Sequence, residues 1–321
     1  MAPSAVSETP ATATPVVAKP VAGGSSKGAR AKEDETPLQA ISQGEVMPGI
    51  PTFPTFVEQR RHTLIHMAAT FRAWARQGFV EGQSGHISVR DPEFPGLMWM
   101  NPLGKHYGML RAGDMLALDI DSGRIVAGKP NPTTGKVTGN AAGYYIHAAV
   151  HRVRPDIHAA CHAHTMAGRA WYVFGRPLDM LTQDVCNFHN AHSVYTSYGG
   201  IVFAEDEANN IAAALGTTNK GLIMINHGLL TVGTTVDEAG WMFGLLERSC
   251  AIQLQVEATG LPKNIITDEE AAHAFKMASE ENALYREAQP DIELEIEAAG
   301  GEEALARGFE QLVVDPEITI A

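Results

Sequence analysis

The chain has 321 residues, of which 45% are hydrophobic and 19% charged, a composition typical of a soluble globular protein with a sizeable core. Its formal net charge of −13 argues against nucleic-acid or anionic-membrane partners, which bind basic surfaces. Its three cysteines form no disulfide framework, and no apolar run approaches the roughly 20 residues that span a bilayer. The N-terminus lacks the apolar core of a signal peptide, so we expect a cytoplasmic protein.

Composition divides the chain into three segments. Residues 1–44 are mainly Ala, Pro, Ser, Thr and Gly, and they contain too few large apolar side chains to offset the entropy of ordering, which predicts a disordered tail. The main domain is expected at residues 45–262. Residues 263–321 are acidic and moderately apolar, which predicts a C-terminal helical appendage.

The first half of the main domain is predicted to contain one helix and several strands. Thr55 and Glu58 have the spacing of a capping box and open an amphipathic helix that ends near Gly78. A Gly-rich loop then leads into a strand at GHISVR. Two further strands are predicted at Leu97–Met100 and Met115–Ile120. The turn NPLGK lies between them, and a hairpin tip, DSG, follows the second.

The second half alternates helices with strands. The predicted elements, in chain order, are a helix at Asn140–Arg154, a strand at Asp156–Thr165, a helix at Met166–Phe174, an irregular stretch CNFHNAHSVYTSYGG, a helix at Glu205–Leu215, a strand that ends at His227 in GLIMINHGLLTVG, a helix from Thr235 to Gly260 and a helix from Thr267 to about Gln289. This pattern predicts a mixed sheet flanked by helices in a three-layer α/β/α domain.

The strand DIHAACHAHT contains the pair His162 and His164. Residues two apart on a strand point the same way, so both imidazoles project from one face. The opposite face is small and apolar, formed by Ile157, Ala159, Cys161 and Ala163. Neutral imidazole is a ligand for zinc, iron and manganese, so the pair is a candidate bidentate metal site.

His227 is the best candidate for a third ligand. It ends a run that resembles a buried strand, and Gly228 after it allows a tight turn. Three histidines with open coordination positions are typical of a catalytic site rather than a structural one. The alternative is that these are surface or satisfied core residues, because the chain contains 13 histidines and no spacing connects His227 to the pair.

Several motifs in order resemble the class II aldolase/adducin family over roughly residues 56–260. They are GHISVRDPE, the NPLG turn, RPDIHAACHAHT, and INHGLLTVG followed by TVDEA. The resemblance implies an αβα sandwich with a central, largely antiparallel mixed sheet, and a ring-like homotetramer with sites between subunits. It also implies that His162, His164 and His227 coordinate a divalent metal, usually zinc.

The resemblance also shows where this chain departs from the sugar-phosphate aldolases. Their acid/base glutamate falls on Gly143, and their phosphate-binding serines fall on Ala141 and Ala142. Their phosphate-binding loop threonine and asparagine correspond to Gln83 and His86. Aldol cleavage of a sugar phosphate needs a base and phosphate donors, so we do not expect that reaction here.

Substrate contacts are nevertheless expected from the Gly-rich loop and from the NPLG turn. The loop offers Ser84, Gly85 and His86, and the turn offers Gly104. The segment at Asn140 is closer to the adducin branch, which has Asn-x-Ala-Gly there. Adducins are cytoskeletal proteins that bind spectrin and actin through a long, lysine-rich tail, and the acidic end of this chain predicts that this part of their function is missing.

Three residues are candidates for proton transfer. Tyr195 corresponds to an aldolase tyrosine that protonates the leaving group from a neighbouring subunit; its alternative is an aromatic packed in an interface. Because an unperturbed histidine side chain titrates near neutrality, His189 and His192 could replace the lost glutamate, with a surface or structural role as the alternative. Packing is expected for His147.

These residues predict a metal-dependent lyase that performs retro-aldol cleavage or decarboxylation on a small, non-phosphorylated hydroxy or keto compound. Zn²⁺ is the expected metal, with Fe²⁺ and Mn²⁺ as alternatives. Two other functions stay open: an Fe(II)-dependent oxygenase on the same scaffold, and a non-enzymatic adducin-like scaffold that binds actin. Lys105 and Arg90 could meet a substrate carboxylate, although solvated surface charge is the simpler expectation for both.

Overall fold

An eight-stranded sheet forms the middle layer of the described part of the chain, residues 35–202 and 205–317 of a computed structural model. Its strands are β1 His86–Arg90, β2 Leu97–Met100, β3 Leu116–Asp119, β4 Ile125–Ala127, β5 Ala159–Ala163, β6 His192–Tyr195, β7 Gly221–Met224 and β8 Gly228–Gly233. They lie in the order β4-β3-β2-β1-β5-β8-β7-β6, and every pair is antiparallel except β6 with β7. The histidine strand β5 is therefore central.

Nine helices accompany the sheet within the same described ranges. They are α1 Pro37–Ile41, α2 Phe56–Arg76, α3 Ala141–Val153, α4 Met166–Tyr172, α5 Glu205–Leu215, α6 Val236–Thr259, α7 Asp268–Ala278, α8 Glu281–Ala298 and α9 Glu302–Ala306. The predicted N-caps are present, since the side chains of Thr55, Thr235 and Thr267 accept hydrogen bonds from the amides three residues later. In these ranges no helix combines the length and apolar character needed to cross a membrane.

The helices cover the two faces of the sheet. Helices α2 and α6 share one apolar cluster with Cys161 of β5, and helices α3 and α5 share another with Ala160 of the same strand. Alternation along β5 therefore directs His162 towards the α3 side. The prediction of an αβα sandwich with a largely antiparallel mixed sheet is confirmed. Ile157 is an exception to the predicted face, because it precedes β5 and packs with the α3 cluster.

One predicted boundary is shifted, and two local predictions are wrong. The strand expected to end at His227 is β7, which already ends at Met224, and residues 225–227 form the turn into β8. The helix expected from Thr267 to Gln289 is interrupted at Ser279, because the Glu280 side chain caps a new helix at Ala283. The stretch expected to be irregular, which begins at Cys186, includes the end of a 3-10 helix (Asp184–Phe188) and the whole of strand β6.

Most of the predicted N-terminal tail, residues 1–34, lies outside the described residues. Within residues 37–41 the chain forms α1, which is capped by Thr36 and buries Leu38. The compact unit that begins at Thr36 includes the predicted C-terminal appendage, in which α8 packs on α2 and α6. The salt bridge between Arg76 of α2 and Glu295 of α8 (2.6 Å) lies in this contact.

Candidate metal centre

Three histidines converge where β5 and β8 lie side by side. His162 is on β5, His164 follows the end of that strand, and His227 ends the turn between β7 and β8. Their ring centroids are 4.8–5.1 Å apart, and one possible ligand atom from each lies within 4.8 Å of the other two. The fold therefore brings together residues that are 63 or more positions apart in the chain (227 − 164 = 63).

The chemistry of this cluster fits a divalent metal. His162 Nδ1 lies 2.8 Å from the carbonyl oxygen of Leu229, and because a carbonyl only accepts, Nδ1 donates and Nε2 keeps its lone pair. Burial lowers the pKa of all three imidazoles, that of His227 to about 4. They are therefore neutral near pH 7, which is the state in which imidazole binds metals.

The turn that presents His227 differs from the one expected. Asn226 is its left-handed residue, with φ of 55°, and Gly228 already belongs to β8. Glycine is needed at 228 because the backbone there lies close to two imidazole rings: a Cβ would stand 2.9 Å from His162 Cε1 and 3.1 Å from His164 Cδ2. Gly228 thus leaves room for the two rings.

His86 lies beside the cluster, and its role in substrate binding stays a prediction. The register of β1 and β5 pairs it with His162, and the two ring centroids are 5.0 Å apart. Its Nδ1 is 3.0 Å from Nε2 of His147 on α3, and its side chain is almost wholly buried. His147, for which packing is expected, is therefore part of the surroundings of the centre.

A buried polar row continues from His147 between β1 and α3. The hydroxyl of Ser88 lies 2.6 Å from His147 Nδ1 and 2.8 Å from His151 Nε2. Burial lowers the pKa of both histidines to about 3, so both are neutral at physiological pH. In the sequence, His147 and His151 are four residues apart on α3, and His86 and Ser88 are two residues apart on β1, so each pair shares one face of its element. This spacing does not distinguish a polar row from ordinary packing.

The Gly-rich loop lies against the metal strand. Gly85 has φ of 109°, and a Cβ there would stand 3.1 Å from the His162 carbonyl oxygen. The hydroxyl of Tyr107 donates to the Ser84 carbonyl oxygen (3.0 Å) and holds the loop in place. Gly104 faces the same loop, since its Cβ would lie 3.7 Å from Gln83 Oε1.

A charged pair that was not predicted from the sequence lies near His164. Arg169 on α4 donates to Glu81 at 2.7 Å, and both side chains are well exposed. After burial, Arg169 is the next cause that lowers the pKa of His164, and Glu81 acts in the opposite direction. The position of Arg169 one turn after the metal strand is the only clue that its sequence offers.

The candidate bases His189 and His192 make contacts elsewhere in this chain. His192 Nδ1 donates to the Phe188 carbonyl oxygen (2.8 Å), and its Nε2 accepts from the Leu178 amide (3.0 Å). His189 Nε2 lies 3.0 Å from the side-chain nitrogen Nδ2 of Asn190. With both nitrogens engaged, His192 has no free lone pair for an incoming proton, which weighs against a role as base.

Tyr195 ends β6 at the edge of the sheet. Its hydroxyl donates to Glu207 on α5 (3.0 Å), and its pKa is raised, with desolvation as the largest cause and this carboxylate contributing. The predicted role requires a neighbouring subunit, so it stays a prediction. Lys105 pairs with Asp114 (2.6 Å), and Arg90 donates to the carbonyl oxygens of Pro95 and His151.

Comparison with known families and structures gives a consistent result. The sequence model of the family described as Class II Aldolase and Adducin N-terminal domain matches residues 65–254, which include the three histidines and His86. A solved structure, L-fuculose 1-phosphate aldolase from Glaciozyma antarctica PI12, is 33% identical with a TM-score of 0.71, and the match covers 78% of this chain and 95% of that chain.

Three curated relatives are 35–40% identical to this chain. Meiotically up-regulated gene 14 protein of Schizosaccharomyces pombe is 35% identical, covering 79% of this chain and 96% of that protein. Decarboxylase NovR of Streptomyces niveus is 39% identical, covering 67% and 77%. The 4-hydroxy-3-prenylphenylpyruvate oxygenase/4-hydroxy-3-prenylbenzoate synthase of Streptomyces roseochromogenus subsp. oscitans is 40% identical, covering 65% and 73%.

Adducins are more distant. Alpha-adducin of Mus musculus is 29% identical, and the match covers 62% of this chain and 26% of that protein. The predicted closeness to the adducin branch, which depended on the short segment at Asn140, is therefore corrected. One tetrapeptide does not outweigh identity over the whole domain.

Proposed function

This chain belongs to the class II aldolase and adducin family, and from that premise we propose that it is a divalent-metal-dependent lyase. It cleaves a carbon–carbon bond in a small, non-phosphorylated hydroxy or keto acid by decarboxylation or retro-aldol cleavage. The observation that carries the proposal is the cluster of His162, His164 and His227, whose neutral rings bring three possible ligand atoms within 4.8 Å of one another.

Zinc is the proposed metal, with Fe²⁺ and Mn²⁺ as alternatives, because all three accept imidazole ligands. His162, His164 and His227 would hold it, each through one ring nitrogen. A divalent cation held there supplies Lewis acidity to adjacent oxygens of a substrate. The surrounding residues bind and orient that substrate.

The charges near the site support an acidic substrate. Ala141, Ala142 and Gly143 at the start of α3 carry no hydroxyl that could bind a phosphate dianion. Arg169 provides a cation near His164, and a carboxylate could compete with Glu81 for it. The planar guanidinium group of Arg169 can bind a carboxylate through two parallel hydrogen bonds. The start of α3 offers no corresponding side chain for a phosphate.

The relatives support decarboxylation as the first reaction to test. One relative at 39% identity is named a decarboxylase, and the 33% identical solved structure is named an aldolase. Both names describe carbon–carbon bond cleavage. A shared fold does not fix the reaction, so the site residues and an assay have to decide between them.

An Fe(II)-dependent oxygenase is the second candidate. Three neutral ligands with open positions also suit Fe(II), and the relative named an oxygenase is 40% identical. An adducin-like scaffold is the third candidate, although the 29% identity to alpha-adducin gives it less support. Oxygen consumption tests the former, and co-sedimentation with actin filaments tests the latter.

A homotetramer is part of the proposal, because Tyr195 would then reach the metal centre of an adjacent subunit and act as the proton donor. Its position at the sheet edge, where β6 has a neighbouring strand on one side only, is compatible with an intersubunit role. Light scattering of the purified protein measures the subunit number. A monomer with full activity would remove Tyr195 from the mechanism.

The first experiment is elemental analysis of tag-free protein purified without chelators. Wild type should contain one equivalent of zinc, and the double variant His162→Ala, His164→Ala should contain none, whereas the surface variant His273→Ala retains it. Zinc-containing protein is then screened with hydroxy and keto acids for released carbon dioxide or aldehyde. Iron instead of zinc favours the oxygenase, and absence of any metal after reconstitution contradicts the enzyme proposal.

A further inference from the structure

A cavity of about 870 Å³ lies between α1, the 3-10 helix that begins at Asp184, α7 and α8. We call it the α7–α8 cavity; residues of these elements line it together with Trp241 of α6, and the three metal-ligating histidines do not. Its volume falls in the range of roughly 300–1,000 Å³ that is usual for small-molecule sites. We propose that it binds an organic cation, a small molecule with an ammonium group on an apolar body. Binding there does not require the proposed lyase activity.

The walls of the cavity are held by contacts between distant parts of the chain. The Ile50 amide donates to Asn282 Oδ1 at the start of α8 (2.9 Å), which anchors the segment between α1 and α2. Glycine at 49 allows this approach, because a Cβ there would overlap the Asn282 side chain. At the corner between α7 and α8, the Ser279 hydroxyl donates to the carbonyl oxygen of Asn187 (2.9 Å). Both ends of the cavity are therefore fixed by the fold.

The apolar part of the cavity leaves large side chains uncovered. Ile41 and Met47 line it and are 73% and 48% exposed. Leu38 and Met277 share the lining with the indole ring of Trp241, which is partly buried. An apolar body in the cavity would cover these side chains and remove them from water, which is favourable.

The polar part of the lining carries a net negative charge. It contains the carboxylates of Glu45, Asp184 and Glu287 and the guanidinium group of Arg286, three negative charges against one positive, or −2 with His273 neutral. These four charged side chains form no hydrogen bond or salt bridge with other residues in the described ranges. Carboxylates without a cationic partner beside an apolar wall attract a cation and disfavour an anion.

Trp241 provides the second element of a cation site. Tryptophan is the aromatic residue that attracts a cation most strongly through the face of its ring. Within the described part of the chain one guanidinium group lies over a ring, Arg60 over Phe94 at 5.8 Å, so Arg286 does not occupy the face of Trp241. The indole and the carboxylates together favour an ammonium group that is attached to an apolar body.

The first test uses the fluorescence of Trp241. The other three tryptophans, Trp74, Trp99 and Trp171, are at most 2% exposed, so a ligand in the cavity should quench Trp241 selectively. Full-length protein is titrated with 2-phenylethylamine, 2-phenylethanol and phenylacetate, which share a phenyl group and differ in charge. We expect the amine to bind with a Kd of about 1 mM or lower. The alcohol should bind at least about fivefold more weakly, and phenylacetate more weakly still.

The order of the three affinities decides the ligand class. Equal affinity for all three, or no binding of any of them, would overturn the proposal. Tighter binding of phenylacetate would also overturn it, because Arg286 would then recognise an anion.

Charge variants test the acidic lining. The triple variant Glu45→Gln, Asp184→Asn, Glu287→Gln should bind the amine about 5- to 10-fold more weakly, and its affinity should lose most of its dependence on salt. Glu297→Gln is the matched control, since this exposed carboxylate lies ten residues beyond Glu287 on α8, roughly 15 Å along the helix. Wild-type affinity in the triple variant would contradict the assignment of a cation.

Ring variants test Trp241 itself and are measured by calorimetry, because they remove the fluorescent reporter. Trp241→Leu should weaken amine binding by about tenfold, and Trp241→Phe by about threefold, since a smaller aromatic face attracts a cation less strongly. Melting temperatures of both variants show whether they are folded, and the charge variants answer the question if they are not. Equal affinities in folded Leu and Phe variants would exclude a role for the aromatic face.

A final control separates the cavity from the metal centre. The double variant His162→Ala, His164→Ala should bind 2-phenylethylamine with wild-type affinity. Loss of amine binding in this variant would place the ligand at the metal centre and overturn the proposal. Failure of the lyase proposal, for example protein that binds no metal, leaves the amine titration unchanged, so the two failures are distinguishable.

Discussion

Gly228 lies so close to His162 that a methyl group on its α-carbon would stand 2.9 Å from the Cε1 atom of the imidazole ring. The same methyl group would lie 2.8 Å from the carbonyl oxygen of Ala163. Gly228 is buried at the start of β8, which pairs directly with β5. Neither strand can move away without disturbing this pairing. The glycine therefore determines how closely the histidine turn approaches the histidine strand.

We expect Gly228→Ala to reduce zinc affinity by at least about tenfold, because displacing either ring by a few tenths of an ångström misaligns a metal ligand. Competition with a chromogenic chelator measures this affinity. Gly96→Ala is the matched control, since a Cβ there meets no atom within 4 Å. Unchanged zinc affinity in Gly228→Ala would contradict the tight packing described for the centre.

The buried histidines of α3 should make folding pH-dependent. The folded pKa of His147 is about 3, lowered by burial and by His151, against about 6.5 in an unfolded chain. Between these values only the unfolded state binds the proton, so stability is fully present above about pH 6.5 and falls on acidification by up to about 1.4 kcal/mol per pH unit. His151 acts in the same direction, with a pKa of about 3.

Urea unfolding of the apoprotein at pH 7, 6 and 5 measures this slope. In His147→Gln one such group is absent, so we expect the fall in unfolding free energy below pH 6.5 to be shallower by about 1 kcal/mol per pH unit. Above that pH the two slopes should agree. Parallel curves at all three pH values would mean that His147 is not kept neutral by the fold.

The ion pair near His164 should tune the affinity for acids. Arg169→Gln removes the cation and should weaken the binding of oxalate, a small dicarboxylate probe, about threefold, a small effect because the pair is exposed and screened by salt. Glu81→Gln frees the guanidinium group and should strengthen binding by a similar factor. Protein loaded with cobalt(II), whose visible absorption reports its ligands, is titrated at low and high ionic strength to check both signs, with Arg152→Gln as the control. Changes of the same sign would exclude this electrostatic explanation.

Glu247 supports the start of α4, immediately after His164. This buried carboxylate of α6 accepts hydrogen bonds from the Thr165 hydroxyl and from the amides of Ala167 and Gly168, the latter two at 2.7 Å. We expect Glu247→Gln to lower the unfolding free energy by about 2–3 kcal/mol, because its amide nitrogen would face those N–H donors. Chemical denaturation measures the loss.

Glu257→Gln is the matched comparison, since that carboxylate lies on the surface of the same helix beside Lys263. Its effect should stay within about 0.5 kcal/mol. If both substitutions lower the unfolding free energy by the same small amount, the contacts of Glu247 do not stabilise the start of α4. Some other interaction then holds the segment that follows His164.

Local patterns determined a large part of this structure. Alternation along β5 follows from extended backbone geometry, so the shared face of His162 and Ala160 and the opposite face of Cys161 were predictable from spacing alone. The N-caps at Thr55 and Thr235 depend on contacts three residues apart, and both were predicted correctly. The resemblance of several motifs in order then supplied the fold class.

Other features depend on contacts between distant parts of the chain. At the break, the Ser279 hydroxyl donates to the backbone and side-chain carbonyl oxygens of Asn187, in a different part of the fold, and the helical periodicity around Ser279 gives no sign of a stop. The strand β6 forms because β7 lies parallel to it, and β7 is 25 residues further along the chain (195 to 221, with 25 residues between). Periodicity within either segment does not contain that information.

The site divides in the same way. The sequence by itself determined that His162 and His164 share a face, because that depends on a backbone repeat of two residues. The tertiary structure decided that His227 joins them, that His86 takes the space beside Gly143, and that Arg169 lies near the centre. Strand register and helix packing set those distances, and both are properties of chain segments that meet only in the folded state.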